Sequence, residues 1–167
     1  RGVNHEKFSK FNKLNLGKGP IFSYIGRVAT EKNVEAFLKI KIDGTKVVVG
    51  DGPQLNSLKK KYPDVNYVGY QHGQDLVDYY ASSDVMVFPS LTDTFGNVIT
   101  EANATGTPVA AFNVIGPKDI IVNGINGYIG DDLKSNIINC INLDRTKCQE
   151  YTKKFNWKEC SRVFYDN

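Results

Sequence analysis

The chain has 167 residues, 41% of them hydrophobic and 23% charged, with a formal net charge of +3. That length suits one domain with a sizeable core, and the balance is that of an ordinary globular chain rather than a disordered, fibrous or membrane-embedded one. The charge suits an anionic small ligand and is too small to argue for nucleic acid. The basic runs at 59–61 and 153–154 read as solvated helix faces, with a membrane-facing patch as the alternative. The three cysteines, Cys140, Cys148 and Cys160, are odd in number and form no C-x-x-C. They suggest neither a disulfide framework nor a zinc site, and point to a reducing, cytoplasmic compartment. No apolar run approaches the roughly 20 residues that span a bilayer.

In chain order, residues 1–20 carry Gly2, Gly17, Gly19 and Pro20 among polar residues and read as a linker with a short turn. Residues 21–25 form an apolar strand that ends at Gly26 and Arg27. Residues 31–40 place Val34, Phe37 and Leu38 at helical spacing. Residues 46–49 read as a strand closed by Gly50, Asp51, Gly52 and Pro53, 55–62 as a helix, and 65–68 as a strand closed by Gly69. A helix over 75–82 precedes the apolar strand 85–88, which Pro89 stops. A helix over 97–105 ends at Gly106, 108–112 and 126–129 are strands, and 131–143 and 147–165 are helical.

Short apolar strands alternating with helices predict an α/β domain, a Rossmann-like, doubly wound parallel sheet covered on both faces. The expected division is a linker or hinge at 1–20, a ligand-binding domain at 21–145 and C-terminal helices at 146–167. Such sheets bind ligands beyond the carboxyl ends of their strands, so the residues that follow each strand are the candidates. The usual phosphate signatures are missing: neither G-x-x-x-x-G-K-[ST] nor G-x-G-x-x-G occurs. Arg27, with Lys32 one turn into the next helix, forms a candidate diphosphate clamp to which the helix end would add its dipole. A pair of solvated cations is the alternative. After the strand at 85–88, Asp93 in the loop and Glu101 about one turn into the next helix can face the same cleft. Gly96 there lets the backbone approach a ligand beside free helix N–H groups. A helix cap and an early-helix acid are the alternative reading of that pair.

These residues also carry a resemblance. Asp93-Thr94-Phe95-Gly96 followed by Glu101-Ala102 and Gly106-Thr107-Pro108-Val109 resembles the E-x7-E segment of group 1, family-four retaining glycosyltransferases of GT-B fold. Gly26 and Arg27 with Glu31-Lys32-Asn33, the turn Gly50-Asp51-Gly52-Pro53, Ser83-Asp84-Val85 before Phe88-Pro89-Ser90, and Asn123-Gly124 with Asn126-Gly127 are similar to further segments of that family, in the same order. Arg1-Gly2-Val3-Asn4 with Phe8 resembles its hinge. Two features depart from the family pattern: Asp93 replaces the first glutamate, and Gly116-Pro117-Lys118 replaces a Gly-Gly pairing.

The resemblance implies the C-terminal, donor-binding half of a longer enzyme, transferring sugar from a UDP- or GDP-sugar to a glycan or lipid acceptor with retention and without a metal. Arg27, Lys32 and the helix start at Asn97 and Val98 would stabilise the departing diphosphate. Glu101 would accept from ribose hydroxyls, Asp93 from a hydroxyl of the sugar, and Gly26, Gly69, Tyr70, Phe95 and Gly96 would complete the donor site. No Asp-x-Asp occurs and no cofactor is expected. The implied partners are the nucleotide-sugar donor and an N-terminal acceptor-binding domain, with no nucleic acid. Association of the full-length enzyme with the inner face of the membrane stays an open alternative. So do a non-catalytic nucleotide-binding module and a GT-B epimerase.

Overall fold

The computed structural model describes residues 3–92 and 97–155. Its strands are β1 (Ile21–Ile25), β2 (Thr45–Val49), β3 (Asn66–Gly69), β4 (Val85–Phe88), β5 (Val109–Ala111) and β6 (Gly127–Ile129). Its α-helices are α1 (His5–Ser9), α2 (Val34–Leu38), α3 (Leu55–Lys61), α4 (Gly73–Ser82), α5 (Asn97–Ala104), α6 (Pro117–Ile120), α7 (Leu133–Cys140) and α8 (Arg145–Tyr151). The strands form one parallel sheet in the order β3-β2-β1-β4-β5-β6. All residues of β1 and β4 are buried, which explains why their apolar runs do not alternate with polar residues: helices cover both faces.

Successive strand residues point to opposite faces. Ile21 and Ile25 of β1, Met86 and Phe88 of β4, and Val109 of β5 pack with Phe8, Val77, Tyr80, Ile99 and Ile120 from α1, α4, α5 and α6. Phe22, Tyr24, Val85, Val87 and Ala110 pack on the other face with Val34, Phe37, Leu58 and Ile137 from α2, α3 and α7. The domain is therefore the Rossmann-like α/β sheet that the sequence predicts. Strand order reverses between β1 and β4, and the crevice beyond their carboxyl ends is the position at which such sheets hold ligands.

Four local differences from the sequence reading have physical causes. The helix expected over 31–40 is broken: Thr30–Lys32 is a 3-10 turn, Asn33 is left-handed at φ 57°, and α2 starts only at Val34. Asparagine tolerates that conformation better than other side chains, and its Nδ2 donates to the Pro89 carbonyl at 2.9 Å. Residues 1–20 hold more than a turn. Asn4 caps α1, and Phe8 is buried edge-on against Tyr80, with ring centroids 6.1 Å apart. α6 is an additional short helix, with a proline in its first turn after Gly116 at φ 102°. At the C-terminus, Asp144 caps α8 and a 3-10 turn, Thr152–Phe155, follows, while the remainder of the helix expected to 165 lies outside the described residues.

Candidate functional site

Three strand ends meet at the carboxyl edge of the sheet. Gly26 N–H donates to the Val49 carbonyl at 3.0 Å, and Gly50 N–H donates to the Gly69 carbonyl at 2.8 Å. Gly50 sits at φ 146°, and a Cβ there would lie 1.8 Å from the Gly26 carbonyl oxygen. Glycine is therefore required at this junction because two backbones touch, which accounts for the Gly50-Asp51-Gly52 turn without invoking a ligand.

Over these ends lies a cavity of about 660 Å³, lined by Ile25 to Arg27, Val49 to Asp51, Tyr70 and Gln71, Leu76 and Tyr80 of α4, and Val98 and Glu101 of α5. That volume lies within the roughly 300–1,000 Å³ of small-molecule sites. A smaller cavity of about 220 Å³ shares Ile25, Gly26, Arg27 and Val98 with it, and adds Tyr24, Lys32, Phe88 and Ser90. The two cavities together follow the crevice between the ends of β1 and β4, and Arg27 borders both.

The site is electrostatically asymmetric. Arg27 lies 3.9 Å from Glu31, but the two side chains are 63% and 55% exposed, so the pair is screened and leaves most of the guanidinium's field in place. Tyr24 Oη donates to the Arg27 carbonyl at 2.6 Å and fixes the backbone from which that side chain departs. Across the sheet order, Glu101 is half-buried on α5, and Tyr80 Oη donates to its Oε2 at 2.8 Å. Burial pushes the Glu101 carboxyl above the usual carboxylate range, opposed by the Tyr80 hydrogen bond and the charge of Lys7. Burial also holds the Tyr80 phenol well above its ordinary value, reinforced by the neighbouring Glu101 charge. On the β3 side Tyr70 is 72% exposed and stacks on His72, with centroids 5.8 Å apart at an interplanar angle of 19°. Tyr70, and not His72, brings its ring to the cavity wall.

The structure thus brings Gly26, Arg27, Tyr70, Val98 and Glu101 around one cavity, and joins Lys32 to Arg27 at the second. Gly69 ends β3 at φ 76° with open space where a Cβ would be. Asn97 opens α5 as an exposed residue that borders neither cavity. Asp93, Phe95 and Gly96 lie outside the described residues. One expectation is corrected. Lys32 does not sit inside a helix; it ends the 3-10 turn, and left-handed Asn33 separates it from α2. α2 therefore begins after the clamp residues instead of containing Lys32. Asp51 and Ser90, which follow strands and so lay among the candidate positions without an assigned role, border the cavities, as do Gln71, Leu76 and Tyr80, which were not anticipated. The position of Asp51 after β2 was a usable signal. The position of Tyr80 inside α4 was not.

Among the described residues, no group of three or more His, Cys, Asp or Glu side chains is placed to hold a metal ion. No helix among them is long and apolar enough to cross a membrane.

Comparison with known proteins agrees with this geometry. Residues 19–142 match the family described as glycosyl transferases group 1. A GDP-mannose-dependent alpha-mannosyltransferase of Corynebacterium glutamicum is 39% identical over 117 residues, covering 69% of this chain and 28% of that protein. The enzyme of the same description from Mycobacterium tuberculosis is 38% identical over 139 residues, covering 77% of this chain and 36% of that protein. The chain therefore matches about a third of the length of these relatives. Among solved structures, Anabaena HepE in complex with UDP superposes with a TM-score of 0.78 at 17% identity, over 99% of this chain and 56% of that one. Sucrose-phosphate synthase from Thermosynechococcus elongatus superposes with a TM-score of 0.77 at 25% identity, over 99% of this chain and 51% of that one. With the sheet order, the cavity at the strand switch and the match over 19–142 in agreement, the chain belongs to the group 1 glycosyl transferase family.

Proposed function

We propose that this chain is the donor-binding domain of a retaining hexosyltransferase that takes its sugar from a nucleoside diphosphate sugar without a metal. The observation that carries the reading is the cavity of about 660 Å³ at the strand switch, bordered by a guanidinium, an aromatic face and a half-buried carboxylate. Those are the groups that a diphosphate, a base and a ribose require, in that order. The two sequence relatives at 38–39% identity favour GDP-mannose as the donor.

Each role follows from chemistry at a named position. Charge grows on the β-phosphate as the sugar departs, and Arg27 and Lys32 offset it as preorganised cations. Arginine does so with paired donors, lysine as a point charge. Glu101 accepts from the ribose hydroxyls. The base lies beyond Gly69, against Tyr70. The N–H groups of Asn97 and Val98 at the start of α5, with Phe95 and Gly96 before them, complete the diphosphate contacts. Asp93 holds a hydroxyl of the transferred sugar. A glycan or lipid acceptor is bound by a second, N-terminal domain, so the domain alone binds donor and transfers little. Working as part of such an enzyme, the protein acts in the cytoplasm, at the inner membrane face where the acceptor is a lipid.

Calorimetric titration of GDP, UDP, ADP and GDP-mannose in the presence of EDTA tests the proposal. GDP and GDP-mannose are expected to bind with the chelator present. Binding that appears only after Mg²⁺ or Mn²⁺ is added would remove the metal-free clause, and no binding by any of the four would remove the function itself.

A further inference from the structure

Glu101 can recognise a ribose only if its carboxylate is held still. A glutamate side chain has three rotatable bonds, and freezing them on ligand binding costs affinity. The structure holds it in advance. Tyr80 is fully buried in α4, 21 residues away in the chain, and its hydroxyl donates to Glu101 Oε2 at 2.8 Å. The tyrosine is itself held in place: Phe8 of α1 packs edge-on against its ring, 6.1 Å between centroids and 70° between planes. Both Tyr80 and Glu101 border the main cavity. A phenol here is more than core filling. A phenylalanine would fill the same apolar volume, whereas a buried hydroxyl requires a partner, and the partner that it has is the carboxylate at the cavity wall.

We propose that Tyr80 is the positioning residue for Glu101: it fixes one carboxylate oxygen so that the other meets the ribose hydroxyls, and it thereby sets the preference of the site for ribonucleotides over deoxyribonucleotides. This rests on the nucleotide-sugar reading above and adds to it a residue that does not itself need to touch the ligand's reacting atoms. Burial disfavours a bare Glu101 carboxylate, and a fixed donor at one oxygen lets the ionised, accepting form persist inside the cavity wall.

The test measures the affinities of GDP and 2′-deoxy-GDP for the wild-type chain, Tyr80→Phe, Glu101→Ala and the double variant, with Tm recorded for each. The wild type is expected to prefer GDP by roughly tenfold or more, the effect of a charge-assisted hydrogen bond. Tyr80→Phe is expected to cut that preference by roughly three- to tenfold while changing 2′-deoxy-GDP binding little. In the Glu101→Ala background the same change should have no further effect on the preference. If the wild type binds GDP and 2′-deoxy-GDP equally, Glu101 is not a ribose ligand and the proposal falls while diphosphate binding stands. If it binds neither, the nucleotide reading falls as well. If Tyr80→Phe keeps the wild-type preference, or weakens both ligands equally, Tyr80 is structural and the proposal alone is overturned. Should Tyr80→Phe fail to fold, 3-fluorotyrosine at position 80 keeps the shape and makes the hydroxyl a stronger donor. An unchanged preference in that protein would overturn the proposal.

Discussion

Two polar clusters lie on α5, a few residues apart, and they are built to opposite ends. Toward its C-terminus Asn103 is wholly buried, and its Nδ2 lies within hydrogen-bond distance of the carbonyls of Thr107 and Asn126, both at 3.0 Å. Asn126 Nδ2 donates to Asn103 Oδ1 at 3.1 Å and to the Ile120 carbonyl at 3.0 Å, and its Oδ1 accepts from Val122 N–H at 2.7 Å. Arg145 donates to the carbonyls of Ala81 and Ser83 and to Thr107 Oγ1 at 2.9–3.0 Å. Every amide atom of Asn103 and Asn126 is satisfied inside the protein. Earlier on the same helix, Glu101 and Val98 border a cavity whose charged groups, Arg27 foremost, are exposed to it. A closed polar network stabilises one fold, whereas an open one is poised for a ligand. Polar residues alone do not identify a site. What identifies it is bonding capacity that the protein does not use itself.

This contrast can be broken by substitution. The largest expected effect is on stability at the closed cluster. Asn103→Ala strands the Thr107 carbonyl and one Asn126 donor, while the Asn126 carbonyl keeps the Val109 N–H, and should cost about 3 kcal/mol, a fall in Tm of about 6–12 °C for a chain of this length. Ligand preference should not change in the protein that remains folded. A Tm within a degree or two of wild type, read by calorimetry, would show that the network is dispensable.

At the open cluster the expected loss is in binding. Arg27→Ala and Lys32→Ala should each weaken GDP by about 1.5–3 kcal/mol, roughly tenfold or more, with Tm nearly unchanged because both side chains reach solvent. Either variant binding as well as wild type would make that residue surface decoration.

The smallest effect has an unusual sign. Burial raises the Glu101 carboxyl above its value in the unfolded chain, so the group favours the folded state at low pH, and that contribution is lost as pH rises through the raised folded value. Ionising this half-buried acid as pH rises therefore costs the folded state stability. Glu101→Gln, which removes the titrating group, should gain Tm relative to wild type as pH rises and lose that gain as pH falls. The same variant should weaken GDP. A Tm difference between Glu101→Gln and wild type that does not change with pH would contradict this.

How much of this could be read in the sequence depended on how local its cause was. β1 and β4 are found within a residue because Pro20, Gly26 and Pro89 punctuate apolar runs that need no distant partner to be recognised. Arg27 was legible because its position after a strand follows from topology alone. The break at Asn33 was not: its left-handed backbone is tied to the Pro89 carbonyl, 56 residues on. Nor was α1, five residues long, whose place is secured by Phe8 against Tyr80 rather than by helix propensity. Tyr80 is a core residue, but its hydroxyl meets Glu101 only once α4 and α5 pack on the same face of the sheet, which no local pattern shows.

The central claim is that the open cluster, and not the closed one, receives a nucleoside diphosphate. Backbone amide shifts followed by NMR while GDP is titrated into the chain with EDTA test it most directly. The account predicts saturable shifts at Gly26, Arg27, Gly50, Tyr70, Val98 and Glu101, with Asn103 and Asn126 unmoved. Shifts centred on Asn103 and Asn126, or none at the cavity, would contradict it.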